Sequence, residues 1–206
     1  MKAILAIVGL LVLVVVVYVV LQWRAIQQAA TGPAKEIVSE SISKSGDTWH
    51  VMFVSKFDAP LDRVFEAFQH PERASEFAPE NVLKSEIVQS DGNTKVVDVV
   101  GRLDILPPGF KVQNLRTEYT VFPADHRITS RSIEFKLADI ASDYQFEASP
   151  DGKSTILNFK QTSKDKAPLL VDSLQKGALR ETYLTQVRAV NRALGLAPAP
   201  EKRQAS

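Results

Sequence analysis

The chain contains no cysteine, which excludes disulfides, thiolate metal sites and cysteine nucleophiles. Neither charge sign is in excess, since 25 basic and 24 acidic residues leave a formal net charge of +1. A nucleic-acid-binding surface shows a basic excess or a basic stripe, and the sequence has neither, so no nucleic-acid partner is expected. Histidine is scarce: His50, His70 and His126 are the full set. No two of them share a metal-ligand spacing and there is no HxH or HExxH, so no metal is expected and each histidine reads as a surface or capping residue. Serines are plentiful, yet no Gly-x-Ser-x-Gly elbow presents one as a nucleophile. No glycine-rich loop is present to cradle phosphates, so no cofactor is expected either.

What is present begins with an apolar run. Ala3 to Leu21 is dominated by Val, Leu and Ile. As a helix it spans about 28 Å at 1.5 Å per residue, close to the roughly 30 Å bilayer core. Tyr18 and Trp23 stand where an aromatic belt would lie, and Arg24 follows as a polar stop. The run is longer than the apolar part of a signal peptide, and Gln27-Gln28-Ala29-Ala30 is a poor cleavage site. Residues 1–24 are therefore expected to anchor a single-pass membrane protein. Lys2 on one side and Arg24 and Lys35 on the other nearly balance. The short charged N-terminus leans the orientation towards a domain outside the cytoplasm. Residues 25–46 read as a tether with a mean reach of about 25 Å, in which Glu36 to Ser43 could form an early strand or helix turn.

Residues 47–195 carry the folded domain. Trp49, Val51, Phe53, Ser55 and Phe57 alternate with His50, Met52, Val54 and Lys56, which predicts a strand with one apolar face. Asp58-Ala59-Pro60 offers an N-cap and a helix-starting proline. Leu61, Val64, Phe65 and Phe68 then fall on one face of a short helix ending at Pro71, and Glu72 to Phe77 can form a second. Six strands follow: Val82–Gln89, Lys95–Ile105, Lys111–Phe122, Arg127–Phe135, Ser142–Ala148 and Thr155–Thr162. Asp91-Gly92, Pro107-Pro108-Gly109, Pro123-Ala124-Asp125 and Asp151-Gly152 mark turns short enough to join antiparallel neighbours. A long helix from Pro168 to Leu194 closes the domain, stopped by Gly195, with apolar stripes through Leu170, Leu174 and Ala178 and through Leu179, Tyr183, Val187, Val190 and Leu194. Residues 196–206 read as a disordered tail.

The fold class is α+β, with a sheet covering the broad apolar side of the last helix. Several local sequences carry a resemblance. Val54-Ser55-Lys56-Phe57-Asp58-Ala59-Pro60 leads into Val64-Phe65-Glu66-Ala67-Phe68. His70-Pro71-Glu72, Phe77-Ala78-Pro79, Ser149-Pro150-Asp151-Gly152-Lys153-Ser154-Thr155 and Lys176-Gly177-Ala178-Leu179 follow in order. Together these resemble the START-like superfamily (SRPBCC, or polyketide-cyclase and lipid-transfer proteins) over roughly Thr48 to Leu194. The resemblance implies a helix-grip fold: a curved antiparallel sheet around the C-terminal helix, with a cavity between them for an apolar ligand. The fold hosts binding proteins, enzymes and regulators alike and does not by itself select a function.

An apolar lining with a few polar handles makes a small-molecule site. Phe53, Phe65, Phe68, Leu106, Phe110, Tyr119, Tyr144, Phe146, Leu174 and Tyr183 form the candidate ligand-binding set, although most such rings must serve as plain core. Phe110 and Leu106, beside the Pro107-Pro108-Gly109 turn, are placed at a cavity lip within reach of lipid. Asp98, Glu118, Arg102, Arg116 and Arg131 are expected on the solvated convex face, since an unpaired buried charge is costly. No catalytic set emerges. The reading is a membrane-anchored module that binds or transfers a lipid or other small hydrophobic ligand, with membrane lipids and that ligand as partners. The alternative is a cyclase- or hydratase-type enzyme acting on a hydrophobic substrate in the same cavity.

Overall fold

The computed structural model describes Arg24 and residues 34–103, 112–166 and 172–197. The apolar run Ala3 to Leu21, Leu106, Phe110, the Pro107-Pro108-Gly109 turn, the Ala167-Pro168 helix start and the tail beyond residue 197 lie outside the described residues. Among the described residues no helix is long and apolar enough to cross a membrane.

Eight antiparallel strands form one sheet: β1 (Ser39–Ser45), β2 (Thr48–Phe57), β3 (Val82–Asp91), β4 (Thr94–Arg102), β5 (Val112–Phe122), β6 (Arg127–Glu134), β7 (Ala138–Ala148) and β8 (Thr155–Asp165). Their order across the sheet is β1-β2-β8-β7-β6-β5-β4-β3. Helix α1 (Leu61–Phe68), a 3-10 turn (Pro71–Arg73) and α2 (Ala74–Phe77) link β2 to β3, and α3 (Asp172–Ala193) ends the domain. The sheet wraps α3 in a helix grip, the α+β architecture expected from the sequence.

Strand period fixes which residues meet the helix. In β2, Trp49, Val51, Phe53, Ser55 and Phe57 are buried, while His50, Met52 and Lys56 are exposed. The inward rings stack against α3: Phe53 lies 4.3 Å from Tyr183, and Phe159 lies 4.8 Å from it. The Tyr183 hydroxyl donates to Ser55 Oγ at 2.8 Å, so its polar atom is satisfied inside the core. Phe65 and Phe68 of α1 pack on Phe146 at 5.4 and 5.0 Å, closing that end. Full burial of each such ring contributes about 1.5–3 kcal/mol.

Charges leave by the other face. Arg116 donates twice to Asp98, at 2.6 and 2.8 Å, and Arg131 donates to Glu118 at 2.7 Å. These are cross-strand pairs on the convex side, as expected. Arg116 holds the Asp98 carboxyl below its ordinary range, chiefly through those hydrogen bonds.

Several boundaries differ from expectation. The segment assigned to the tether contains β1, which pairs with β2 from Ser45↔Thr48 to Ser39↔Val54 around the two-residue turn Gly46-Asp47. Of the early strand or helix turn open to Glu36–Ser43, the structure forms the strand, at Ser39–Ser45, with Ile42 its single apolar residue. Strand β7 begins at Ala138 rather than Ser142 because its pairing with β8 continues to Ala138↔Asp165. Pro60 itself stands at the N-cap of α1, and no side chain caps the helix, so Asp58 does not take that role. At the other end of the domain Gly195, at φ +73°, terminates α3 as expected. Its N–H reaches the Arg192 carbonyl at 3.0 Å and the Leu196 N–H reaches Asn191 at 2.8 Å, a Schellman closure that only a residue comfortable at positive φ forms cheaply.

The early strand and the residues just before it also fasten the helix. Glu36 meets Arg188 at 3.2 Å, Glu40 meets Arg180 at 2.7 Å, and Lys44 meets Asp172 at 2.7 Å. From Glu40 to Lys44 a strand advances about 13 Å. From Arg180 back to Asp172 a helix covers about 12 Å. The matched rise lets the same antiparallel edge contact α3 twice without distorting either element.

Candidate functional site: a cavity beneath the last helix

The rings fill only part of the space between sheet and helix. Elsewhere a cavity of about 560 Å³ remains, lined from α1, the turn after it, β3 to β8 and α3. Its roof is one face of α3: Gln175, Ala178, Leu179, Thr182, Thr185, Gln186, Ala189, Val190 and Ala193, each with a neighbour three or four residues away. Alanine recurs where a larger side chain would fill the volume.

The floor follows from register. Tyr119 pairs with Ser130, Ser130 with Ser142, and Ser142 with Gln161, so four adjacent strands lay one polar rung across the concave face. A neighbouring rung holds Thr117 opposite Ser132, with Ser163 further along, and all three line the cavity. Ser132 Oγ accepts the Ile140 N–H at 2.8 Å, and Ser142 Oγ donates to Gln161 Oε1 at 3.4 Å. Apolar walls complete the space: Phe77, Val82 and Val99 from the α2 end, and Leu103, Phe135 and Leu137.

Tyr144 joins floor to roof, its hydroxyl donating to Gln186 Oε1 at 3.1 Å. Burial raises the Tyr144 pKa, opposed by hydrogen bonds with Gln186, Ser130 and Ser142. Burial, and then the nearby Tyr144, raise that of Tyr119. Both phenols are thus held neutral, as hydrogen-bonding groups rather than bases. Thr117 and Thr185 are buried, line the cavity, and their Oγ1 atoms have no hydrogen-bond partner.

Of the ten candidate residues, Phe68, Tyr119 and Tyr144 come together on the cavity wall. Phe53, Phe65, Phe146 and Tyr183 belong to the packed aromatic core, and Leu174 is buried on α3 away from the wall. Leu106 and Phe110 lie outside the described residues; Leu103, the last described residue before them, does line the cavity. Arg102 departs from the convex-face expectation, reaching the cavity wall at the end of β4. His70 also lines it, with Nδ1 2.9 Å from Glu72, while His50 is exposed and His126 sits at a turn against Phe65. Among the described residues no group of three or more acidic or histidine side chains is placed to hold a metal ion.

The hydroxyls and carboxamides of the floor were missed because Ser, Thr and Gln read as solvent-facing. Parity could have found them. In β6, Arg127, Thr129 and Arg131 share one face, which assigns Ser130 and Ser132 to the other, alongside buried Ile128.

A helix gripped by a curved sheet over a hollow, mostly apolar interior defines the class of fold: START-like. Three solved structures share this fold over nearly their whole length. An aromatase/cyclase from Streptomyces sp. R1128 is 16% identical with a TM-score of 0.56, over 71% of this chain and 96% of its own. A protein from Thermus thermophilus is 18% identical with a TM-score of 0.61, over 72% and 99%. A START superfamily protein from Mycobacterium smegmatis is 14% identical with a TM-score of 0.58, over 72% and 99%. At such identities the likeness is one of fold. No protein-family model matches the sequence, and no curated protein does.

Proposed function

We propose that this chain binds a small hydrophobic ligand in the cavity under α3, and that residues 3–21 anchor the domain to a bilayer from which the ligand is taken or to which it is delivered. The observation that carries the reading is the cavity of about 560 Å³, left open in a domain whose other half is densely packed. That volume lies within the range typical of small-molecule sites, and its apolar walls with a few polar handles fit their usual composition. The START-like fold supports the same reading by analogy.

Cyclase or hydratase chemistry needs a group poised to move a proton near neutral pH. The two phenols on the wall are shifted the opposite way, the floor offers hydroxyls and carboxamides, and the lining residues able to move a proton, Glu66 and His70, lie on α1 and just after it rather than on the floor. Recognition is what these walls supply best.

The test uses the full chain held in amphipol with Nile red, a neutral solvatochromic dye. Binding is expected to saturate at one dye per chain. Ala178→Phe, which pushes a ring from the roof into the void, is expected to weaken it at least tenfold with the fold retained by circular dichroism. Saturable binding that Ala178→Phe leaves unchanged would place the dye elsewhere and sink the proposal.

A further inference from the structure

We infer that β3 is a self-association edge: it pairs antiparallel with β3 of a second copy of this chain, about a two-fold axis at Ser85, and joins the two sheets edge to edge. The inference is independent of the binding reading above.

Among the described residues β3 ends the sheet and pairs with β4 alone, so the backbone groups along its outer edge have no strand to bond. It also carries exposed apolar side chains: Leu83 is 49%, Ile87 38% and Val88 44% exposed. An edge of that composition is a site for pairing with another strand.

The sequence of β3 selects a second copy as the occupant. Val82-Leu83-Lys84-Ser85-Glu86-Ile87-Val88 is symmetric about Ser85 in polarity and antisymmetric in charge. Antiparallel pairing with Ser85 opposite itself sets Lys84 opposite Glu86 of the second copy and Leu83 opposite its Ile87, each twice over. Opposite charges and apolar residues facing each other directly are what stabilise a strand pair. Moving the axis to Lys84 or to Glu86 instead sets that charge opposite its own copy, which is unfavourable.

The charges are placed for such a contact. The Lys84 and Glu86 side chains are 58% and 47% exposed and bond each other at 2.5 Å. Glu86 stands beside Asp98 of β4, and Arg116 beyond it serves Asp98 and Glu134. Lys84 of the second copy supplies a cation on the open side of Glu86. The register with β4 shifts between Val82 and Lys84 and between Ile87 and Gln89, which leaves Lys84–Ile87 regular. Bulges keep an edge from pairing indiscriminately, so the contact is short. A two-fold contact uses β3 in both copies and closes at two.

The opposite edge is the rival. Strand β1 reads Ser-Glu-Ser-Ile-Ser-Lys-Ser, also symmetric in polarity, about Ile42. Its Glu40 and Lys44 are already held by Arg180 and Asp172, and Ile42 is its single apolar residue.

The chain has no cysteine, so an introduced disulfide reports the register directly. Full chains carrying Lys84→Cys and Glu86→Cys are mixed in mild detergent and oxidised. They are expected to cross-link at least fivefold more than Ile87→Cys does with itself. The axis at Ser85 sets the two copies of position 87 about 13 Å apart along the strands, beyond disulfide reach. A mixture of Ser41→Cys and Ser43→Cys, which tests β1, is expected to stay at the lower level. Sedimentation equilibrium of the cysteine-free chain gives a second reading. A contact of this size is weak, so dimers are expected to predominate only near about 0.1 mM chain. Lys84→Glu is expected to weaken the dimer at least threefold, and Glu86→Lys added to the same chain to restore it. A monomer at every concentration up to that level overturns the inference. So does a dimer that Lys84→Glu leaves unchanged, or one that the double variant does not recover. Cross-linking through Ile87→Cys alone, or through the β1 mixture, that equals or exceeds the Lys84→Cys and Glu86→Cys pair also overturns it.

Discussion

One sheet and one helix enclose two unlike regions. Towards α1 the space is filled by buried rings: Phe53, Phe159 and Tyr183 pack on one another and Phe65 on Phe146, the two groups joined through Phe68 and Tyr144. Beneath Gln175 to Ala193 the same two surfaces face each other across alanine, serine, threonine and glutamine, and the space is empty. Backbone and period are shared, so side-chain size and polarity decide which part becomes core and which becomes cavity. Dense packing at one end lets the other stay hollow, because the helix is held without needing contacts along its whole length.

Truncation separates the two regions most sharply. Phe53→Ala, in the filled region, is expected to cost about 3–5 kcal/mol. Ser142→Ala, in the hollow, is expected to cost under about 1 kcal/mol, since its bond to Gln161 at 3.4 Å is long, Gln186 and Ser130 still serve the Tyr144 hydroxyl, and the site already borders a void. Equilibrium urea unfolding of both variants measures the contrast, and equal losses would abolish the distinction.

A smaller effect is expected at the edge that straps the helix. The Arg180 side chain is 5% exposed and Glu40 33%. Glu40→Gln removes the carboxylate from a buried guanidinium, so a loss of about 1–2 kcal/mol is expected, reduced from the full buried-pair cost by the exposure of Glu40. Denaturant unfolding reads it directly. A null result would mean that β1 merely lies beside α3.

The smallest effect concerns the phenols. Tyr119, Tyr144 and Tyr183 all have pKa values raised by burial. In the unfolded chain they ionise near pH 10. Their contribution is therefore complete below about pH 10 and is lost as pH rises towards the higher folded values. The chain has 4 tyrosines. Absorbance at 295 nm should therefore show these three ionising only with alkaline unfolding, and reversible ionisation of all of them near pH 10 would contradict the burial.

Much of the filled region was legible in the sequence and little of the hollow. The alternation Trp49 to Phe57 and the spacing Leu61, Val64, Phe65, Phe68 announce β2 and α1 because large apolar residues repeat at a clear period. Aromatic residues mark where space is filled, and choosing them as ligand contacts drew Phe53, Phe65, Phe146 and Tyr183 out of what is core. The cavity is written in residues that say nothing alone: Ser130, Ser142 and Gln161 look like surface until register places them in one row. Strand β1 was only half legible: with one apolar residue in Ser39–Ser45 the choice between strand and helix turn stayed open, although Gly46-Asp47 is itself a two-residue turn signal. The ion pairs Glu36–Arg188 and Glu40–Arg180 join residues more than a hundred positions apart, and no local pattern encodes them.

The measurement closest to the central claim is native mass spectrometry of the full chain released from mild detergent, paired with organic extraction of the same sample. A stoichiometric adduct of one small apolar molecule, absent from Ala178→Phe, is the expected result. Bare protein after every gentle preparation, with no apolar molecule in the extract and no uptake of added Nile red, would contradict the cavity as a binding site.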